Sequence, residues 1–260
     1  MSYLTFEAVA KNFPAPSGVT EVVAPFNFSI SKSEIVVFLG PSGCGKTTLM
    51  RLVGGLETPT SGAIQLDGKV LTKPDRRRGM VFQSYSSFPW QTVEENVAFG
   101  VRYRSDLSPA EKNERTQHYL NVVGLTEFAG SYPNRISGGM RQRVAIARAL
   151  AAGSEILLMD EPFGALDAQR REALQIELRK ILAIESKTIV FVTHDVEEAA
   201  FLADRIVVFT RRPARVLALI DVGRRLGPER TLTLRDSQKF FQLRNELLAL
   251  VRSTAEEAGL

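Results

Sequence analysis

The chain has 260 residues, 44% hydrophobic and 24% charged, with a net charge of +4 at pH 7. That is enough for one large domain, or a domain with a subdomain, and the mild basic excess carries no stripe with interleaved aromatics that would imply nucleic acid. Cys44 is the one cysteine, which excludes an internal disulfide, and two histidines beside it argue against a structural zinc site.

The start, Met1 to Glu7, has no basic segment followed by an apolar stretch and does not read as a secretory signal. Leu4–Val9, Glu21–Ile30 and Ile35–Leu39 read as strands, Lys46–Gly54 as a helix, Pro59–Gly62 as a turn, and Ile64–Leu66 and Met80–Phe82 as short strands. From about 84 to 152 the character turns helical, over Val93–Val101, Pro109–Val123 and Arg141–Ala152. Ser108 before Pro109 is a capping serine ahead of proline at the first helical position. This stretch reads as a helical subdomain inserted into a strand-rich core. The strands Ile156–Met159, Thr188–Val192 and Ile206–Phe209 then alternate with helices over Ala168–Ile184 and Val196–Ala203, the pattern of a parallel sheet with helical crossovers. Val216–Leu234 reads as strand and turn. Asp236–Ala255 is an amphipathic helix with Phe240, Leu243, Leu247 and Val251 on one stripe. The expected organisation is an α/β domain over 1–235 with a helix over 236–260 packed on it. Every apolar run is too short to span a membrane, so the chain is expected to be cytoplasmic, with any membrane role arising through a partner.

Three segments carry chemistry. Gly40-Pro41-Ser42-Gly43-Cys44-Gly45-Lys46-Thr47 follows the apolar run Ile35–Leu39 and fits G-x-x-x-x-G-K-[ST], a loop that cradles a nucleotide. Gly40, Gly43 and Gly45 let backbone N–H groups converge on a β-phosphate without Cβ clashes, and the following helix adds a positive end. Lys46 is placed for the β- and γ-phosphates, Thr47 for Mg²⁺ and Thr48 for the α-phosphate region of ATP. Cys44 takes a free position of the pattern as a small filler. In the second segment, Asp160-Glu161 ends the strand Ile156–Met159, at the edge where open α/β sheets bind ligands. Asp160 is expected to hold Mg²⁺ through water, and Glu161 to act as general base on the attacking water. The third, Ser137-Gly138-Gly139, opens a helix with a hydroxyl and bare backbone donors, a second γ-phosphate site.

Ile136-Ser137-Gly138-Gly139-Met140-Arg141-Gln142-Arg143 resembles the signature of ABC transporter ATPases, usually Leu-Ser-Gly-Gly-Gln. Ile136 is a conservative departure. Met140 removes a polar side chain that would touch the nucleotide. The other family motifs stand in the family's order. Gln83 matches the loop glutamine that senses Mg²⁺ and the γ-phosphate. Ala165-Leu166-Asp167 matches the loop that passes between subunits. His194 matches the switch histidine, and Phe13 the aromatic that stacks on adenine. His118 has no motif around it. The resemblance implies a P-loop NTPase fold of the ABC ATPase type: an N-terminal antiparallel β subdomain, a parallel-sheet core and an inserted helical subdomain.

The resemblance further implies a head-to-tail dimer, of two copies or of a copy and a paralogue. In it Ser137, Gly138, Gly139, Met140 and Asp167 close over ATP held by the other subunit. It also implies an integral membrane permease, contacted by Phe88 and Trp90, with the ATPase peripheral on the cytoplasmic face of the inner membrane. The segments 82–90, 162–168 and 194–199 resemble bacterial importers of the nitrate, sulfonate and taurine group, which also use a periplasmic or lipid-anchored binding protein. Three other readings remain open at this point: an ATPase serving an exporter or lipid transporter, a soluble ABC-type ATPase, and a small-molecule phosphotransferase.

Overall fold

The computed structural model describes residues 2–16, 18–82, 87–164 and 168–256. Its strands are β1 (Ser2–Ala15), β2 (Gly18–Ser31), β3 (Ile35–Leu39), β4 (Ser61–Leu66), β5 (Lys69–Val70), β6 (Arg78–Val81), β7 (Ile156–Asp160), β8 (Thr188–Thr193), β9 (Arg205–Phe209) and β10 (Val216–Asp221). Its helices are α1 (Lys46–Gly54), α2 (Val93–Val101), α3 (Pro109–Val122), α4 (Gly138–Ala151), α5 (Ala168–Glu185), α6 (Val196–Leu202), α7 (Val222–Leu226) and α8 (Gln238–Glu256). The chain forms two compact units, 1–75 with 187–260, and 76–186.

The first unit holds an antiparallel sheet in the order β2-β1-β4-β5. β1 and β2 make a long hairpin with a bulge: Lys11 pairs with Val23 and Asn12 with Glu21, leaving Val22 as the extra residue. A second set of strands runs β10-β9-β3-β8, with β3 parallel to both neighbours and β10 antiparallel at its edge. β3 and β8 are buried along their whole length, as expected for parallel strands covered on both faces. Aromatic rings join the two sheets: Phe6 lies 6.3 Å from Phe38, and Phe26 lies 6.0 Å from Phe209. α8 buries Phe240, Leu243 and Leu247 and is tied to α6 by Arg244, 3.2 Å from Glu197.

The second unit pairs β6 with β7 in parallel and carries α2, α3, α4 and α5. α2 and α3 open with full capping boxes, Thr92 with Glu95 and Ser108 with Glu111. α4 begins three residues earlier than the apolar periodicity predicts, because the Ser137 hydroxyl accepts the Met140 N–H and caps it. Glycine at 139 also has a packing cause: a Cβ there would stand 2.8 Å from Leu174 Cδ1 of α5. Among the described residues no helix is long and apolar enough to cross a membrane.

Candidate active site

The loop from Gly40 to Gly45 leaves β3 and enters α1. Gly45 sits at the N-cap with φ +125°, no side chain caps the helix, and its first turn holds no acid. The positive end of α1 is thus left to an external anion. Each glycine has its own reason. A Cβ on Gly40 would meet the Phe209 carbonyl oxygen at 3.0 Å, and one on Gly45 the Val22 carbonyl oxygen at 2.9 Å, while Gly43 at φ +74° faces open space. Lys46 is 4% exposed. Its Nζ donates to the carbonyls of Gly40 and Pro41, both at 2.8 Å, so the ammonium is curled inside the loop. Cys44 lies beside it, Sγ 3.9 Å from Nζ. Burial pushes the thiol up against the opposing pull of Lys46, which keeps it protonated. Arg212, from the segment after β9, donates to the Gly43 carbonyl at 3.0 Å.

β3 and β8 are parallel neighbours with Leu39 opposite Thr193. Gly40 and His194 therefore leave adjacent strands at the same level, on the edge where such sheets bind ligands. Both neighbours of His194 are pinned. The Thr193 hydroxyl donates to the buried Glu198 carboxylate at 2.7 Å and accepts the Asp195 N–H at 2.9 Å. Asp195 in turn caps α6 by accepting from the Glu197 and Glu198 N–H groups. The ring of exposed His194 is thus carried on a fixed backbone. Phe13 is half-buried on β1, opposite Thr20, with the Lys11 ammonium 4.7 Å from its ring centroid.

In the second unit Asp160 ends β7 and Glu161 follows at φ +44°, a left-handed conformation that non-glycine residues adopt only where the surroundings enforce it. The Glu161 carbonyl accepts the Gly164 N–H at 3.1 Å, closing the turn after β7. At the start of α4, Ser137 is exposed, Gly138 and Met140 are half-buried and Gly139 is buried. The Ser137 hydroxyl uses a lone pair for its cap bond, and that bond does not consume its proton. Arg141 donates to the carbonyls of Pro133 and Ile136, holding the approach to Ser137. Phe88 is half-buried, 5.7 Å from the 71% exposed Trp90 and 4.7 Å from Phe99, with the Arg148 guanidinium 5.1 Å from its ring. Gln83 and Asp167, with Ala165, Leu166 and 84–86, lie outside the described residues.

The family model for ABC transporters matches residues 23–164, more than half of the chain. The chain belongs to the ABC transporter ATPase family. A nitrate import ATP-binding protein of Synechococcus elongatus is 43% identical over 248 residues, covering 95% of this chain and 90% of that protein. An aliphatic sulfonates import ATP-binding protein of Bacillus thuringiensis is 42% identical over 247 residues, covering 94% of each. An uncharacterised ABC transporter ATP-binding protein of Methanocaldococcus jannaschii is 44% identical over 252 residues, covering 96% of this chain and 91% of that one. Among solved structures, a dimeric ATP-binding cassette in a post-hydrolysis state with ADP and phosphate superposes with a TM-score of 0.72 at 32% identity, over 84% of this chain and 98% of that one. The fold is that of the ABC ATPase, and the chain is an ATP-binding subunit that hydrolyses ATP.

Three residues of this ABC ATPase escape the motif-based reading. Arg212 and Lys11 act across the fold and leave no local signal. Asn96 had one, a polar residue on the Val93-Val97-Val101 face of α2. It is fully buried. Its Oδ1 accepts the Phe88 N–H at 2.8 Å, and its amide nitrogen lies 3.1, 3.1 and 2.9 Å from the carbonyl oxygens of Phe88, Gln91 and Thr92. One side chain thus holds the loop that presents Phe88 and Trp90.

Proposed function

We propose that this ATPase energises a bacterial importer of a small anion of the nitrate, sulfonate or taurine kind. The names of its relatives support the substrate class. The observation that carries the nucleotide chemistry is the glycine-lined, uncapped start of α1, with Lys46 curled into it and His194 leaving the adjacent strand at the same level.

In this reading the backbone donors of Ser42 to Thr48 take up the phosphates of ATP, and Lys46 exchanges two carbonyls for β- and γ-phosphate oxygens. The purine stacks on Phe13. The donor set of the Thr47 hydroxyl, the Asp160 carboxylate and the Gln83 amide suits Mg²⁺, a hard cation that prefers few protein oxygens plus phosphates and water. When bound it neutralises charge that develops between the β- and γ-phosphates. Glu161 orients water for in-line attack on the γ-phosphorus and accepts its proton. His194 donates to the γ-phosphate, and the bond from the γ-phosphorus to the β–γ bridging oxygen breaks, with ADP as the leaving group still held by its β-phosphate in the loop. Ser137, Gly138, Gly139, Met140 and Asp167 close on the γ-phosphate held by a second ATPase subunit. Two ATP molecules then hold the dimer shut, and loss of phosphate reopens it.

Phe88 and Trp90 are the anchors for an integral membrane permease, since exposed tryptophan is enriched at interface hot spots. The chain is then peripheral on the cytoplasmic face of the membrane, and a periplasmic or lipid-anchored protein delivers the substrate. The decisive experiment combines Glu161→Gln with purification of the tagged chain from solubilised membranes. The variant should bind ATP, accumulate as a closed dimer and lose turnover steeply. A permease with a nitrate- or sulfonate-binding partner should copurify with the wild-type chain. Wild-type hydrolysis by the variant would remove Glu161 as base, and a chain recovered alone would remove the transport assignment.

A further inference from the structure

We infer that Lys11 is a positioning residue of the nucleotide site: its ammonium backs the ring of Phe13 and sets that ring as a fixed shelf for the purine. The inference rests on Phe13 being the base platform. Lys11 and Phe13 stand at i and i+2 of β1, so their side chains share a face. Nζ lies 4.7 Å from the ring centroid. The ammonium is also held from behind, 3.1 Å from the Glu57 carboxylate and 2.8 Å from the Thr58 carbonyl oxygen, on a side chain only 13% exposed. This is not the mobile, solvated head that lysine usually carries. The strand is fastened at the same point: the Asn12 N–H donates to Thr60 Oγ1 at 2.9 Å, and the Thr60 N–H to the Ala10 carbonyl at 2.8 Å.

The hairpin also carries the shelf to the nucleotide loop. Phe13 pairs with Thr20, and Val22, two residues further along β2, sets its carbonyl against Gly45. Two residues of strand span about 7 Å, so a triphosphate seated in the loop brings its base within reach of the ring. A cation on one face of a ring draws electron density toward itself, which reduces repulsion between the opposite face and a stacked purine. The ring is also ordered before ATP arrives, so less freedom is lost on binding. Glu57 neutralises the Lys11 charge locally, and the effect should therefore fall on the base and not on the phosphates.

Affinities of the full chain for ATP and for inorganic tripolyphosphate, measured by calorimetry on Lys11→Met, Lys11→Arg and Phe13→Ala, test this. Lys11→Met keeps the apolar stem and removes the charge. It should weaken ATP about three- to tenfold and raise KM in step, leaving kcat and tripolyphosphate affinity unchanged, and Lys11→Arg should restore ATP binding. If Phe13→Ala weakens ATP but Lys11→Met does not, or if arginine fails to restore binding, Lys11 has no such role and the platform stands. Equal weakening of ATP and tripolyphosphate by Lys11→Met would assign it to the general fold and overturn the inference. If Phe13→Ala leaves ATP affinity unchanged, the platform itself is wrong, and Lys11 falls with it.

Discussion

Replacing Gly45 by alanine tests how the nucleotide loop is built. Gly45 lies at φ +125°, and a Cβ there would stand 2.9 Å from the Val22 carbonyl oxygen and 3.3 Å from both Val22 Cγ1 and Ala214 Cβ. Neither neighbour can retreat easily. The Val22 carbonyl accepts the Ala214 N–H at 2.9 Å, and the Ala214 carbonyl accepts the Ala24 N–H at 3.1 Å. An L-residue at such a φ costs about 1–3 kcal/mol, and displacing a hydrogen-bonded carbonyl adds about 1 kcal/mol. At about 2–4 °C per kcal/mol for a chain of this size, the thermal midpoint should fall by about 5–15 °C. Gly43 is the internal control. It lies at φ +74° with nothing within 4 Å of an added Cβ, so alanine there meets only the left-handed penalty of about 1–2 kcal/mol. Thermal unfolding of both variants without nucleotide is the assay. Equal midpoints would refute the claim that contact with Val22 and Ala214, beyond backbone conformation, demands glycine at 45.

Asn96→Leu should destabilise by about 2–4 kcal/mol in urea unfolding, because it leaves a buried N–H and several carbonyls without their partner; hydrogen exchange should also speed up over 88–92. Tyr119 is pushed up to about 12, first by burial and then by the Glu185 carboxylate, against the pull of Arg115. The native state thus keeps that proton when the unfolded chain, titrating near 10, has lost it. Stability present below about pH 10 should fall as pH rises toward 12, and Tyr119→Phe should flatten that fall. An unchanged alkaline slope in the variant would count against this. Gln142 is 1% exposed, and neither atom of its amide has a hydrogen-bond partner among the described residues. Gln142→Met should therefore raise the stability of the isolated chain by about 1 kcal/mol, and a loss instead would mean that the amide is satisfied in solution.

The regular parts of this fold were legible because their physics is local. Ile35–Leu39 and Thr188–Val192 are apolar runs of strand length, and Val93–Val101 is bounded in the structure as its periodicity predicts. The nucleotide loop was legible for the same reason, since its demand for glycine and lysine is written in consecutive residues. What stayed hidden depends on contacts between distant segments. The bulge at Val22, the ties of Lys11 to Glu57 and Thr58, and the reach of Arg212 to Gly43 join positions up to 169 apart. The start of α4 is only half hidden: its apolar periodicity begins at Arg141, while Ser137-Gly138-Gly139 reads as opening a helix, and the serine cap sets the start there.

The pairing of Leu39 with Thr193 works as a ruler. Because β3 and β8 share one ladder, the spacing between the nucleotide loop and His194 is inherited from the strand separation of about 4.8 Å and not from side chains that would have to find each other. Substitutions in the loops beyond these strands can then change chemistry without disturbing distance. An insertion of one residue in either strand would slide one end by about 3.3 Å and exchange the side chains that pack against its two covered faces. Evolution of such a site is thereby channelled into replacing residues at its edge, with the length of the strands beneath held constant.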